Sequence, residues 1–390
     1  MTSAIEQTPP GLSRTLFGPE HEAFREAVHA FLVKEAVPAT ERWEAEGMVD
    51  RQFWRDAAAI GMVGFAAPEQ YGGAGLDDFR FNAVITEEMA RTGAVGDSLA
   101  LTNDIILPYL LSYASEEQQA RWLPSLTAGE TMFAIAMSEP GTGSDLRAIT
   151  TTARREGDAW SVSGSKTFVT SGIQADLVIV FARIPDRDGG GFGLFVVEAG
   201  MDGFDRGRKL DKIGRRAQDT AELFFEGISV PDENVLGVPG DGLRYLMANL
   251  AQERLGMAVA AVASAERVLE IALEYATERK AFGKPIGAFQ ANRFYLAELH
   301  TKVQVARAYL DRCIEAHVAG ELSAADAAGA KFWTTELEGD VIDRCLQLHG
   351  GYGYMEEYEI ARRWRDARVQ RIYGGTNEIM REIVGRSLGL

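Results

Sequence analysis

Apolar residues between Glu20 and Gly129 recur at the three-to-four spacing of amphipathic helices. Phe24, Val28, Phe31 and Leu32 line one side of His21–Val37, and Pro38 is expected to stop that helix. Arg51–Ile60, Asp78–Arg91, Leu99–Tyr113 and Glu116–Thr127 read the same way, with Gly129 closing the last. Tyr71-Gly72-Gly73-Ala74-Gly75 predicts a loop, because so many glycines cannot hold a helix. Near Thr131 the period shortens to that of strands. Thr131–Met137, Ala159–Val162, Lys166–Val169, Leu177–Arg183, Leu194–Glu198 and Glu222–Phe225 are the predicted strands. Glu156-Gly157-Asp158 and Asp188–Gly191 are the predicted turns.

Past Gly240 the helical period returns in longer runs. Asp241 can cap a helix reaching Lys280, ended by Gly283 and Pro285. Phe289–Val318 predicts a second, stopped by Gly320, and Ser323 with Asp326 resembles a capping box for a third. A short helix follows Thr376. The expected fold is therefore α+β. An N-terminal arm (1–19) precedes an all-helical domain (20–130), a middle antiparallel β-barrel domain (131–238) and a C-terminal four-helix-type bundle (239–390).

Charge narrows the functions. Lys plus Arg number 40 against 57 acids, a formal charge of −17, so the overall field opposes binding to nucleic acid or anionic membrane. No apolar run approaches the length of a membrane span, and the N-terminus lacks a signal-peptide pattern. The expected location is cytoplasmic. Cys313 and Cys345 make neither a CxxC nor a zinc spacing, the five histidines are scattered, and no metal site is expected. Dinucleotide-type G-x-G-x-x-G, the P-loop and H-E-x-x-H are missing from the sequence, and the G-x-S-x-G match at Gly385–Gly389 follows no predicted strand, so no nucleophile elbow is expected.

Four segments could carry chemistry. Ala136–Asp145 joins two glycines to the hydroxyls of Ser138, Thr142 and Ser144, a loop able to hold a flavin ring or pyrophosphate, or simply to turn. Lys166–Gly172 is a strand ending in hydroxyl residues. Glu278–Lys284 concentrates Arg279, Lys280 and Lys284, which either complement the helix dipole or grip a diphosphate. Arg371–Glu378 is a double-glycine loop that Thr376 caps into the last helix, and that helix N-terminus suits an anion or carbonyl oxygen.

Glu253 is separate. It lies three residues after Leu250 and four before Met257, on a stripe that includes Leu243, Leu246, Met247 and Ala258. A carboxylate on a buried face must be paired, neutral or functional. Arg254 points about 100° away around the helix, so it is no intrinsic partner.

Taken together and in this order, these segments resemble the acyl-CoA dehydrogenase family, from about Phe17 to Leu390. The signatures are Ala136–Asp145, Arg279–Gly283, Gln347-Leu348-His349-Gly350-Gly351 and Tyr373–Thr376. The resemblance implies a homotetramer with one FAD per subunit, an acyl-CoA substrate and electron-transfer flavoprotein as oxidant. It implies flavin contacts from the Ile135–Ser144 loop, including Met137, Ser138, Gly143 and Ser144, and from Phe168, Val169 and Thr170. Arg279, Phe282, Phe289, Gln290, Gln347, Leu348, Gly350 and Gly351 would meet FAD across a subunit interface, and Thr376 and Glu378 lie beside it. Ser144, Arg254, Gly374 and, as a second CoA contact, Arg386 are the implied substrate residues.

One position departs from many family members, which carry the catalytic glutamate where this chain has Gly374. In the long-chain and isovaleryl-type branches that base sits on the first long bundle helix, before an arginine. Gln252-Glu253-Arg254-Leu255 matches that placement. Gly-Gly-Thr-Asn-Glu looks more like the long-chain branch, with the isovaleryl type second. The implied reaction is α-proton removal by Glu253 and hydride transfer to flavin N5, with the Gly374 N–H polarising the thioester carbonyl. An acyl-CoA oxidase or flavin monooxygenase on the same fold is the alternative, and a non-catalytic CoA-binding scaffold is the reading from another class.

Overall fold

The computed structural model describes residues 13–96, 98–185 and 191–390. Most of the Asp188–Gly191 turn and the start of the 1–19 arm lie outside them. The helical part opens with α1 (Pro19–Phe31), α2 (Thr40–Glu46), α3 (Arg51–Ala59) and α4 (Phe79–Thr92). It continues with α5 (Ser98–Ala100), α6 (Leu107–Tyr113) and α7 (Glu116–Thr127). Ser115 caps α7 through a reciprocal bond with Gln118. Pro38 does not stop the first helix as expected. The chain widens through π-helical Leu32–Ala36 and then tightens through a 3-10 turn, Val37–Ala39, where Pro38 sits at a position needing no N–H, and α2 follows directly.

The strands are β1 (Phe133–Ala136), β2 (Thr152–Glu156), β3 (Ala159–Thr170), β4 (Leu177–Arg183), β5 (Phe192–Glu198), β6 (Phe204–Lys209), β7 (Thr220–Pro231) and β8 (Val235–Gly240). They form one sheet in the order β6-β7-β3-β2-β4-β5-β8, with β1 beside β4. The two strands expected at 159–162 and 166–169 are one strand, β3, with a register break between Lys166 and Val169. The sheet is mixed, since β1 and β2 both run parallel to β4. Among the described residues no pairing joins β6 to β8, so the pairing leaves the sheet open where a closed antiparallel barrel was expected. Both ends carry edge features: β6 is polar (Asp205, Arg206, Arg208, Lys209) and β8 contains Pro239, which cannot donate to a further ladder. The sheet buries its own apolar face around Val162, Val178, Phe195, Leu223 and Phe225.

The bundle comprises α8 (Gly242–Glu278), α9 (Gln290–Val318), α10 (Ala324–His349), α11 (Glu359–Ala367) and α12 (Asn377–Ser387), with a two-residue hairpin, β9 (Lys280–Ala281) and β10 (Lys284–Pro285), before α9. Its core runs through Leu255, Val259, Val262, Leu299, Leu310, Val341 and Ile342. Many small residues, such as Ala258, Ala265, Ala272, Ala306 and Ala330, let the long helices approach closely. By contacts the chain divides into two compact units. One gathers the described residues up to Glu26 with Phe79–Gly93 and Arg254–Leu390, and the other gathers Ala27–Asp78 with Ala94–Glu253.

Candidate active site

In the unit that contains the sheet, Glu253 is only 4% exposed, as its place on the α8 stripe predicts. The stripe itself is wider than the spacing suggests. Arg254 is buried beside it, while Met247 stands 59% exposed. The phenol of Tyr109 on α6 donates to Glu253 Oε1 at 3.3 Å. Burial, and then the charge of Glu253, push the Tyr109 phenol far above its ordinary range, so it remains a proton donor. Tyr113 stacks on Tyr245 with centroids 4.0 Å apart, and Gln252 donates to the Asp104 carbonyl. Tyr109 thus gives the carboxylate a neutral hydrogen-bond donor.

The loop after β1 is anchored by a second buried pair. Lys166 Nζ donates to the Met137 carbonyl (2.9 Å) and to Glu139 Oε1 (3.0 Å). Glu139 also accepts from the Thr150 N–H and hydroxyl and from the Thr151 N–H. Burial alone would push this carboxyl up, but those hydrogen bonds hold it at about 2. Burial lowers Lys166 to about 8. The Thr167 N–H bonds the Ser138 carbonyl. Lys166 and Thr167 therefore tie the Ile135–Ser144 loop to the end of β3. The next residue, Phe168, has φ +59 and is 70% exposed. A bulky residue in the left-handed region costs roughly 1–2 kcal/mol, and an exposed ring adds unfavourable apolar surface. Val169 points the other way, into the sheet core. Gly143 and Ser144 are exposed, and a Cβ added at Gly141 or Gly143 would meet no atom within 4 Å. A strained, exposed ring beside an open glycine loop fits a flat aromatic cofactor.

The bundle unit repeats the pattern. Phe282 has φ +51 and is 96% exposed, edge-on to Phe289 with centroids 6.2 Å apart. The Arg279 guanidinium lies over Tyr352, just beyond the exposed Gly350 and Gly351. Tyr275 stacks on His349 and donates to its carbonyl. Arg279, Phe282, Phe289 and the turn after Gln347 and Leu348 thus gather on one outer face, with Gln290 exposed at the start of α9. Elsewhere in this unit Gly374 and Gly375 both have positive φ, +63 and +88. A Cβ on Gly374 would collide with the Met257 thioether, and one on Gly375 would lie 3.9 Å from Arg254 Nη2. The side chain missing at Gly374 therefore leaves no void, because Met257 fills the place. Thr376 caps α12 by accepting from the Ile379 N–H, and Glu378 is exposed. Arg386 is exposed and paired with Glu382 at 2.6 Å. Cys313 and Cys345 are free buried thiols, and no His, Cys, Asp and Glu cluster among the described residues could hold a metal.

Three family models tile the chain. Acyl-CoA dehydrogenase N-terminal domain matches residues 18–130, the middle domain 134–228 and the C-terminal domain 240–389. The chain belongs to the acyl-CoA dehydrogenase family. It is 45% identical over 389 residues to the mitochondrial long-chain specific acyl-CoA dehydrogenase of Sus scrofa, covering 99% of this chain and 90% of that protein. A crystal structure of acyl-CoA dehydrogenase from Geobacillus kaustophilus superposes with a TM-score of 0.95 at 46% identity, covering 97% of this chain and all of that one. The Bacillus anthracis acyl-CoA dehydrogenase complexed with FAD superposes at 0.89 with 31% identity, covering 97% of this chain and 68% of that one. The family's three-domain arrangement of helices, sheet and helices is the fold described above.

Several residues of this candidate site escape a reading of the sequence. Tyr109 and Lys331 lie outside every segment that the sequence marks for chemistry, while Glu139, Lys166, Asn377 and Met257 lie within marked segments that give them no role of their own. Lys331 follows Ala-Ala-Gly-Ala on α10, and a cation in so small and apolar a run was the available signal. Tyr109 reaches Glu253 from 144 residues away in sequence, and no local pattern announces that.

Proposed function

We propose that this chain dehydrogenates acyl-CoA thioesters to trans-2-enoyl-CoA, with Glu253 as the α-proton base. The single observation that carries the reading is a buried carboxylate, hydrogen-bonded by a neutral phenol, in a family member whose other common base position is a glycine. The strained rings of Phe168 and Phe282, the Met137–Ser144 loop and Arg279 would hold FAD. When bound, FAD supplies the acceptor for the hydride leaving the substrate β-carbon. The protein does the rest. Glu253 takes the α-proton, and the Gly374 N–H polarises the thioester carbonyl as an oxyanion-hole donor does. Arg254, Ser144 and Arg386 would orient the CoA portion.

Identity to the long-chain relative, not a void at Gly374, supports a preference for long or branched acyl chains. By family resemblance the enzyme works as a cytoplasmic homotetramer that passes electrons to electron-transfer flavoprotein. No described helix is long and apolar enough to cross a membrane.

The test is direct. Purified protein should be yellow, and palmitoyl-CoA or isovaleryl-CoA should bleach the flavin without oxygen, while Glu253→Gln should keep FAD and lose 10²–10⁴-fold of turnover, the usual effect of losing a general base. A colourless protein supports the scaffold reading. Rapid peroxide formation supports the oxidase. Near-normal turnover by the Gln variant removes Glu253 as the base.

A further inference from the structure

Lys331 plays no part in the reading above, yet it is a completely buried cation in the middle of α10. Its ammonium donates to the Gly375 carbonyl at 2.9 Å and to Asn377 Oδ1 at 3.0 Å. Asn377, 1% exposed, passes its amide protons to Thr335 Oγ1 (3.0 Å) and Glu336 Oε1 (3.1 Å). One face of α10 therefore grips the junction between the double-glycine loop and α12.

Burying an ammonium is costly unless its bonds replace those of water. Burial, and then the Arg254 guanidinium, bring Lys331 down to about 8. A methionine would fill the same volume without that cost, so the charge calls for a reason. The loop supplies one. Two consecutive glycines have the widest backbone range of any pair, so the local chain does little to fix where the Gly374 N–H points. The bond to the Gly375 carbonyl fixes the Gly375–Thr376 peptide, and so restricts from its far end the glycine pair whose near end carries the Gly374 N–H. The surroundings are also electropositive. Lys331, Arg254, Arg371 and Arg381 face Glu336 and Glu378, and Glu336 is already bonded by Asn377 and Arg381. On a chain of net charge −17, this is a local excess of cations.

We propose that Lys331 is a positioning residue for the dehydrogenation: it fixes the direction of the Gly374 N–H and lends positive potential where negative charge develops on the thioester oxygen. The proposal rests on the function proposed above. In the step concerned, the α-C–H bond breaks, Glu253 keeps the proton, and the electron pair spreads onto the thioester oxygen as an enolate. Lys331 neither gains nor loses a proton.

The probe is an acyl-CoA analogue with sulfur at the β-position, whose α-protons are acidic but which cannot be dehydrogenated. With oxidised enzyme its enolate gives a long-wavelength absorption band, and the pH midpoint of that band reports α-proton acidity. In Lys331→Met the midpoint should rise by at least about one unit, a roughly tenfold loss of acidity. FAD content and analogue affinity should stay within about threefold of wild type, and kcat should fall while KM holds, the pattern of an interaction made in the transition state. Lys331→Gln, which keeps a donor without the charge, should fall between the two. A Met variant with the wild-type midpoint overturns the proposal. So does loss of fold or FAD in both variants, since Lys331 would then be an ordinary structural tie. Absence of the band in wild-type enzyme instead overturns the proposed function, which keeps the two failures apart.

Discussion

Gly374 offers a test in which the cost can be worked out before the measurement. Its φ of +63 lies in the left-handed region, and a Cβ there would strike the end of the half-buried Met257 side chain. Replacing Gly374 by Ala carries roughly 1–2 kcal/mol for the left-handed backbone. Moving the flexible Met257 thioether off its rotamer adds about 0.5–1.5 kcal/mol. The expected loss is therefore about 1.5–3.5 kcal/mol by urea unfolding. With Met257→Ala the second contribution disappears and only the backbone cost remains. A double-mutant cycle over the two positions should return a coupling of about 0.5–1.5 kcal/mol. The same geometry governs activity. A carboxylate restored at position 374 in Glu253→Gln needs the space that Met257 fills. The Gly374→Glu, Met257→Ala, Glu253→Gln triple variant should thus recover more turnover than Gly374→Glu, Glu253→Gln alone. Zero coupling, or a Gly374→Ala enzyme as stable as wild type, would refute this account of why glycine stands there.

Three further outcomes are expected. Glu87 is held at about 2 because the guanidiniums of Arg307 and Arg14 outweigh the burial that would raise it from 4.5. Its folded-state pKa is depressed, so its contribution is full above 4.5 and lost as pH falls towards 2. Glu87→Gln should cost about 3–5 kcal/mol at neutral pH, the usual result of breaking a buried charge cluster, and should flatten the acid limb of the stability profile. Phe168→Asn, which tolerates the left-handed region, should keep or raise flavin-free stability by up to about 1 kcal/mol while equilibrium dialysis shows FAD affinity falling. A variant that binds FAD like wild type would remove Phe168 from the cofactor site. Arg279→Glu should release FAD and weaken self-association in analytical ultracentrifugation, and a fully yellow tetramer would contradict the interface role.

How far the sequence could be read depended on whether a signal was local. Glu116–Thr127 and Leu177–Arg183 match the observed bounds because caps and apolar runs lie within the elements. β2 (Thr-Ala-Arg-Arg-Glu) and β6 (Phe-Asp-Arg-Gly-Arg-Lys) went unseen because strongly polar strands lack an alternating pattern. Sheet closure was not readable either, since it depends on which strands meet, and the charges of β6 and Pro239 of β8 speak only for themselves. Glu253 was legible for a reason that also marks the limit. A buried acid interrupts an apolar stripe and stands out against it, so helix periodicity alone finds it. Lys331 interrupts a stretch of alanines in the same way, but lysine is the residue whose long apolar stem most often lets its charge reach water. The sequence cannot say that this one stays buried. Only the carbonyl of Gly375 and the amide of Asn377, some forty residues further along, explain it. The two buried groups are therefore of one kind. Each is a charge that the bundle would shed if packing were its sole task, and each faces a partner supplied from far along the chain, Tyr109 for Glu253 and Gly375 for Lys331. A fold selected for stability alone would favour leucine at both positions. The proposed roles, proton removal at Glu253 and charge stabilisation at Lys331, give each of these costly charges a reason that packing does not.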